Sequence, residues 1–301
     1  MISIIVCSRK KDISNELRKS IECTIGVEHE IIIVDNSQNS YSIFEAYNIG
    51  QDLAKYPYLC FIHEDIIFLK EFVGWGEHLS QYLSQKTTGI IGIAGSCVVS
   101  KIPAPWSFFR PAKMINIIQG KRKKTGELVF TKEYFPIGNT NNLLPVILLD
   151  GVFLSMRKDV FHDICFDETL SGFHGYDLDI SLQSYVAGYR NYVMYDIGVI
   201  HYSLGNMDKK YYENLISIFK KYESILPLFD GIGYEYKDSI EKIECKQIRR
   251  FCVRMLKVGM PINDVLNHFS YYSKILKLSK FYQYILNLYF RIILFFEFFR
   301  R

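Results

Sequence analysis

The sequence predicts an α/β fold with a mixed sheet flanked by helices, in which the first strands form parallel βαβ units covered by helices on both faces. Strand-like and helix-like segments alternate from the N-terminus onwards. The strand-like segments are continuous apolar runs and do not alternate between apolar and polar residues. Continuously apolar strands are typical of parallel sheets, because the helices of βαβ units bury both faces of such a sheet.

The first five elements alternate regularly between strand and helix. A β-branched run at 2–7 predicts the first strand, and a helix follows at 15–26, where apolar residues recur every four positions and a glycine fits the C-terminal cap. The second strand is predicted at 29–37. A helix at 42–56 and a third strand at 57–65 complete the unit.

The next elements are less regular. In chain order they are a helix at 71–85, a strand at 89–99, an irregular stretch at 100–146, a strand with a turn and a helix start at 145–161, a loop and helix at 171–190, and a strand at 191–205. From residue 206 the pattern changes to long helices. We therefore predict an α/β domain at 1–205 and a C-terminal helical region at 206–301.

The last helix, predicted within 273–301, is unusually apolar. Its polar residues recur at steps of three and four and form one narrow stripe, and basic residues stand at both ends, including Arg300 and Arg301. An ordinary surface helix has a broader polar face. The α/β domain, a second subunit of a homodimer, or an anionic membrane surface would cover the remaining apolar residues.

Composition excludes several classes of protein. The chain has 301 residues, 49% of them hydrophobic and 23% charged, which is typical of a folded domain and not of a disordered one. The net charge of +4 and the lack of a base-stacking motif argue against a nucleic-acid partner. Seven cysteines without CxxC spacing predict reduced thiols and a cytoplasmic location.

Polar residues follow each of the three predicted parallel strands. They are Ser8 and Arg9, Asp35 and Asn36, and His63, Glu64 and Asp65. Ligands of open α/β sheets bind at the carboxyl ends of the strands. These residues are therefore expected to share one cleft.

Six segments in order carry a family resemblance. They are "ISIIVCSRKK", "EIIIVDNS", "AYNIGQDLAKYPYLCFIHED", "LDGVFLSMRKDVF", "FDETLSGFHGYDLDISLQSYVAGYR" and "VIHYSLG". With these motifs the chain resembles family 2 glycosyltransferases of the GT-A fold, and within them the streptomycin-biosynthesis-type glycosyltransferase domain. The resemblance spans residues 2 to about 205. It implies transfer of a sugar from a nucleotide-diphosphate sugar to a glycan or lipid-linked acceptor, by an inverting, metal-dependent reaction in cell-surface polysaccharide or glycan assembly.

The resemblance also implies roles for individual residues. Donor contacts are implied for Ser8, Arg9, Asp35, Asn36, Asn48, Gly50 and Glu64. Ligation of Mn²⁺ or Mg²⁺ is implied for Asp65 and His201, and contact with the acceptor for Asp150, His174 and Tyr176. Asp177 takes the place of the catalytic base. Asp179 lies two residues further on the same helix and faces another direction, so one of these two carboxylates is expected to be structural.

Two positions depart from the family's pattern. His63 stands where the DXD motif has its first carboxylate, and Tyr176 stands where the family has the Glu of a Glu-Asp pair. An inactive nucleotide-sugar or partner-binding protein therefore stays open as an alternative. A sugar nucleotidyltransferase is a further alternative, although "CSRKKD" lacks the glycines of a phosphate-binding loop. Taken one at a time, the polar residues also fit turns, helix caps or packed histidines.

Overall fold

The computed structural model describes residues 1–123, 125–203 and 205–298, with side chains described up to residue 292. The strands are β1 (Ile2–Ser8), β2 (His29–Asp35), β3 (Tyr58–Ile62), β4 (Ile66–Phe68), β5 (Thr88–Gly92), β6 (Ala94–Ser96), β7 (Val98–Val99), β8 (Lys113–Arg122), β9 (Leu128–Phe135), β10 (Leu143–Val146), β11 (Leu148–Leu149), β12 (Phe153–Arg157), β13 (Arg190–Met194), β14 (Val199–His201) and β15 (Leu228–Phe229). The helices are α1 (Asn15–Thr24), α2 (Ile43–Leu53), α3 (Trp75–Leu83), α4 (Tyr176–Val186), α5 (Lys209–Lys221), α6 (Ile240–Lys257), α7 (Ile262–Ile275) and α8 (Lys280–Phe298).

A mixed central sheet places the functional residues. Its strand order is β10-β13-β5-β12-β3-β1-β2. β1 pairs in parallel with β2 and β3, whereas β12 runs antiparallel to both of its neighbours. Ser8 lies opposite Asp35 in the register, so β1 and β2 end together. The predicted α/β fold with helices on both faces of the sheet is confirmed.

Local sequence explains how the first helices begin and end. The Ser14 hydroxyl caps α1 by accepting a hydrogen bond from the Leu17 N–H, and Ser42 forms a reciprocal capping box with Glu45 at α2. Gly26 adopts a φ of 74° just beyond α1, as its predicted capping role requires. Buried Leu17 and Ile21 fix α1 to the sheet.

A second sheet lies beside the first, in the order β11-β6-β8-β14-β4, and β9 pairs with β8. The prediction that 100–146 is irregular is wrong, because β8 and β9 form a long antiparallel pair there. The middle four residues of β9 are exposed, and the end of β8 is polar. Such strands lack the apolar continuity by which the buried strands were recognised.

The C-terminal helices pack onto the α/β region. Leu178 and Leu182 of α4 share a buried hydrophobic cluster with residues of α5 to α8. The last helix begins at Lys280, within the predicted 273–301, and a connection in which Lys277 has a φ of 50° separates it from α7. Arg300 and Arg301 lie outside the described residues. Within the described ranges, no helix is both long and apolar enough to cross a membrane.

Candidate functional site

Glu64 joins the ends of β1 and β3. Its carboxylate accepts hydrogen bonds from the Ser8 hydroxyl at 2.6 Å and from Arg9, whose Nε lies 3.0 Å away. The Arg9 side chain remains 80% exposed despite this ion pair. The structure thus brings three of the predicted donor-binding residues together, with a guanidinium still accessible to an anionic ligand.

Asp35 and Asn36 face different directions after β2. Asp35 is exposed, and its carboxylate accepts a hydrogen bond from the Ser37 N–H at 2.9 Å. That bond holds the pKa of Asp35 below its ordinary value. The Asn36 side chain is buried and bonds both backbone groups of Tyr41. Asp35 is therefore available to a ligand, whereas the amide of Asn36 shapes the loop.

The structure does not bring Asn48 and Gly50 into this group. The Asn48 amide bonds the Phe166 backbone and the Glu168 carboxylate. Gly50 lies where α2 crosses β1, and a Cβ added there would come within 2.2 Å of Ile5. Their described contacts are those of packing residues, and neither contacts the polar strand ends.

Three side chains of the metal-ligand type converge beside the strand ends. One ligand atom from each of His63, Asp65 and His201 lies within 4.8 Å of the other two. The Nε2 atom of His201 is 3.4 Å from Asp65 Oδ1 and 3.5 Å from His63 Nδ1. Burial alone would raise the pKa of Asp65, but hydrogen bonds with His201 and Ser203 outweigh it and hold that pKa well below its ordinary value. Asp65 is thus ionised and suited to bind a cation.

These three residues fit a divalent ion by their chemistry. Two imidazole nitrogens and a carboxylate oxygen suit Mn²⁺, Fe²⁺, Co²⁺ or Zn²⁺. The predicted ligands Asp65 and His201 therefore lie together. His63, which the sequence analysis treated only as a departure from the motif, joins them. Its place in the DXD slot was the signal that could have identified it.

Asp177, in the first turn of α4, lies near the carboxylate of Asp150. Asp177 accepts hydrogen bonds from the Gly151 N–H at 3.1 Å and the Leu178 N–H at 2.9 Å. Burial, followed by the nearby charge of Asp150, raises the pKa of Asp177 to about 7. Asp150 in turn accepts a hydrogen bond from the indole of Trp106 at 2.8 Å. A carboxylate with a pKa near neutrality is suited to general-base catalysis.

Asp179 lies on the other side of α4. It is 1% exposed and accepts hydrogen bonds from Lys221 at 2.9 Å, Tyr222 at 3.2 Å and Gln183 at 2.6 Å. All of its described partners belong to helices around it. Asp179 is therefore the structural carboxylate of the pair, which leaves Asp177 as the candidate base.

The predicted acceptor residues line one cleft together with Asp177. The Tyr176 hydroxyl lies 2.8 Å from His63 Nε2, and His174 Nε2 lies 3.7 Å from Asp208. Asp150, His174, Tyr176 and Asp177 all border a cleft of about 400 Å³, as do His63 and His201. Two residues of the possible metal site, His63 and His201, thus border the same cleft as the candidate base Asp177.

Another part of the cleft lining was not predicted. It is formed by residues of β8, β9 and the turn before them, including Trp106, Lys113, Gln119 and Glu133. These residues fall in the stretch taken as irregular, and no motif marks them. The only available signal was Trp106, the one tryptophan of that stretch, whose indole N–H can donate a hydrogen bond. The sequence does not show where in the fold this side chain lies.

Comparison with known proteins links this geometry to a family. Residues 3–223 match the family described as "Glycosyltransferase like family". That match covers more than two-thirds of the chain. It includes Asp177 and Asp179 as well as the possible metal ligands His63, Asp65 and His201. No curated protein matches the chain.

Solved structures show the same fold at low sequence identity. S. aureus TarS 1–349 in complex with UDP-GlcNAc is 13% identical, with a TM-score of 0.52 over 89% of this chain and 81% of that one. The corresponding complex with UDP is 14% identical, with a TM-score of 0.51 over 89% and 79%. GalNAc-T7 with UDP, GalNAc and Mn²⁺ is 12% identical, with a TM-score of 0.48 over 74% of this chain. This chain spans 50% of the length of GalNAc-T7.

Proposed function

Since this chain belongs to the glycosyltransferase-like family, we propose that it moves a sugar from a nucleotide-diphosphate sugar to an acceptor hydroxyl, with a divalent ion and with inversion at the anomeric carbon. The observation that carries the proposal is the placement of Asp177. This carboxylate has a pKa of about 7 and opens into the same cleft as His63 and His201. A base and a candidate diphosphate-binding site therefore face one substrate-sized space.

The reaction is a direct displacement. Asp177 accepts the proton of the acceptor hydroxyl, whose oxygen bonds the anomeric carbon as the bond from that carbon to the diphosphate breaks. A divalent ion held by Asp65 and His201 would neutralise the charge that develops on the departing diphosphate. The Gly151 N–H, at 3.1 Å, keeps the base oriented toward the cleft.

The donor nucleotide is assigned to the ends of β1 to β3. Exposed Asp35 faces the base and ribose, Arg9 is available to a phosphate, and Glu64 and Ser8 hold the loop beneath them. Asn36, Asn48 and Gly50 stay part of the donor proposal through the family resemblance only. Two TarS structures hold UDP or UDP-GlcNAc, so uridine nucleotides are the first donors to test.

The acceptor side includes Asp150, His174 and Tyr176, which border the cleft. We propose a glycan or lipid-linked acceptor and a role in cell-surface polysaccharide or glycan assembly, as the likeness to streptomycin-biosynthesis-type transferases implies. In this proposal the protein acts in the cytoplasm, at the inner face of the membrane. The family match runs to residue 223 and thus extends beyond the boundary proposed at 205 to include α5.

The face of α8 gives the membrane proposal its physical basis. Phe281, Tyr284 and Leu288 are 74%, 68% and 50% exposed and follow one another along the helix. Exposed Lys280 and Arg291 lie beside this row. An apolar row with basic residues at its edge complements an anionic lipid surface. A homodimer through the same face is the competing outcome.

A donor panel tests the proposed function. The full chain is incubated with Mn²⁺ and with UDP-, GDP-, dTDP- and CMP-sugars, and release of free nucleotide and thermal stabilisation are measured. We expect one nucleotide class to stabilise the protein and to be hydrolysed slowly without an acceptor. Stabilisation with no turnover in any acceptor extract would favour the inactive binding protein, and release of pyrophosphate would favour a nucleotidyltransferase.

A further inference from the structure

The two positions at which this chain departs from its family's motifs contact each other. His63 replaces a carboxylate of the DXD motif, Tyr176 replaces a glutamate, and the Tyr176 hydroxyl lies 2.8 Å from His63 Nε2. We propose that Tyr176 positions His63 so that its Nδ1 completes a three-ligand site with Asp65 and His201, and that this site selects Mn²⁺ and similar transition-metal ions over Mg²⁺. The inference rests on the proposed function for the purpose of the site.

Hydrogen bonding fixes the tautomer of His201. The Gln119 amide nitrogen donates to the backbone carbonyls of Gly120, His201 and Ser203, at 3.0, 3.3 and 2.7 Å, so the orientation of that amide is settled. Its oxygen then faces His201 Nδ1 at 3.2 Å. Because an amide oxygen only accepts, Nδ1 carries the hydrogen. In the absence of a metal ion, a proton on His201 Nε2 is donated to Asp65; once that proton is lost to a metal ion, the Nε2 lone pair points toward the ion, as in metal sites whose histidines are oriented from outside.

The same reasoning applies to His63. The Tyr176 hydroxyl donates its one hydrogen to the Gly151 carbonyl at 3.1 Å. Its oxygen is then an acceptor for His63, so Nε2 carries the hydrogen and Nδ1 has the lone pair. That Nδ1 lies 3.5 Å from His201 Nε2 and 4.0 Å from Asp65 Oδ1. Gly151 is required here, because a Cβ added to it would come within 2.0 Å of the Tyr176 hydroxyl oxygen.

Three lone pairs thus face one another, two on nitrogen and one on an anionic oxygen. They repel unless a cation lies between them, which is either a proton on His201 Nε2 or a metal ion. Ligands about 2.0–2.2 Å from one ion lie roughly 3–3.5 Å apart, close to the separations of 3.4 to 4.0 Å observed here. A small inward movement of His63 would complete the site.

The donor set determines which ions bind. Mg²⁺ prefers oxygen ligands and keeps much of its water, whereas divalent transition-metal ions bind sites that contain nitrogen ligands with an affinity that rises from Mn²⁺ to Co²⁺. Replacing one carboxylate of the motif by His63 therefore moves the preference away from Mg²⁺. In the competing arrangement Tyr176 donates to His63, and His63 Nδ1–H donates to His201 Nε2. That pair would be satisfied without any metal.

Direct metal binding separates the two arrangements. Metal-free full-length protein, without nucleotide, is titrated with Mn²⁺ and Mg²⁺ by calorimetry, and with Co²⁺ by visible absorption. We expect Mn²⁺ to bind at least about tenfold more tightly than Mg²⁺. Because loss of a ligand or its orienting partner typically costs 10- to 100-fold in affinity, H63A should weaken Mn²⁺ binding by about that factor and Y176F in the same direction. H63D restores a carboxylate at this position, so it should reduce the ratio of the Mn²⁺ affinity to the Mg²⁺ affinity.

Controls keep the result specific. H162A, at an exposed histidine outside the site, should leave Mn²⁺ affinity unchanged. The wild-type Co²⁺ spectrum needs no substitution and so does not depend on any variant's folding. Equal Mn²⁺ affinity in H63A and wild type, equal Mg²⁺ and Mn²⁺ affinity in wild type, or no metal binding at all would overturn the inference. If one of these results is found while the protein still turns over a donor, the role of His63 is refuted but the transfer reaction stands. If metal binds through His63 and no donor is turned over, the role of His63 stands and the proposed function is refuted.

Discussion

The substitution Asp177→Asn should make the protein's stability less sensitive to pH while removing its activity. Asparagine keeps the size of the side chain and an oxygen for the Gly151 N–H, but it cannot take a proton from an acceptor. In the folded protein, burial and Asp150 raise the pKa of Asp177 to about 7 from an ordinary value of 3.8. The same group therefore binds a proton more tightly in the folded than in the unfolded chain.

The size and sign of the effect follow from that difference. Between pH 4 and pH 7 the folded wild type retains a proton at Asp177 that the unfolded chain has lost, so its stability falls as pH rises. Each pKa unit corresponds to about 1.4 kcal/mol, so the full loss is at most about 4 kcal/mol. Most of it occurs above pH 5. The variant lacks this loss, and its stability relative to wild type should rise by about 2–3 kcal/mol between pH 5 and pH 8.

Urea unfolding of both proteins at pH 5 and pH 8, at fixed ionic strength, measures this difference. The kcat of Asp177→Asn should fall by about 10²- to 10⁴-fold at pH 8, while donor binding is retained. Asp52→Asn, on an exposed side of α2, controls for the loss of one carboxylate. A stability difference that is the same at both pH values, or a variant with wild-type kcat, would refute the assignment of Asp177.

Three further predictions follow from the same structure. Asp65→Ala should weaken Mn²⁺-dependent nucleotide binding more than about tenfold in calorimetry, and equal affinities would remove this residue from the metal site. Asp179→Ala should lower the free energy of unfolding by about 1–3 kcal/mol, because the buried Tyr222 hydroxyl, Lys221 and Gln183 lose a shared hydrogen-bond acceptor, with kcat preserved; a greater loss of kcat than in Asp177→Asn would reverse their roles. Replacing Phe281 and Leu288 together by serine should reduce co-sedimentation with anionic vesicles, whereas the exposed control Ile137→Ser should not; conversion of a dimer to a monomer would favour the interface instead.

Sequence reasoning succeeded where a pattern is local. Continuous apolar runs identified β1, β2 and β3, and the polar residues after them meet at one edge of the sheet. Helical spacing alone predicted that Asp177 and Asp179 would face different directions, and the structure places one in the cleft and the other against Lys221.

Sequence reasoning failed where contacts between residues far apart in the chain determine the structure. His63 and Tyr176 are 113 positions apart, and no local pattern reveals that their side chains meet. The strands β8 and β9 are half-polar because one wall of a cleft faces solvent, so they lacked the apolar signal.

The last helix shows the same limit. Its narrow polar stripe left apolar residues around most of the circumference, and the sequence did not show which of them another helix would cover. Leu286 and Phe290 pack against the neighbouring helices, and that contact turns the row of Phe281, Tyr284 and Leu288 outward. Helical periodicity identifies the faces of a helix but not which of two apolar faces finds a partner.

The pH dependence of donor turnover tests the central claim most directly. With the donor identified from the panel, the kcat/KM of wild type should rise with pH, reach half of its maximum near pH 7 and level off above about pH 8, because Asp177 must lose its proton to act as the base. Asp150→Asn removes the neighbouring charge that helps to raise this pKa, so its rise should be displaced to lower pH. A wild-type profile that is flat around pH 7, or a rise that does not move in Asp150→Asn, would contradict the assignment of Asp177 as the catalytic base of a glycosyltransferase.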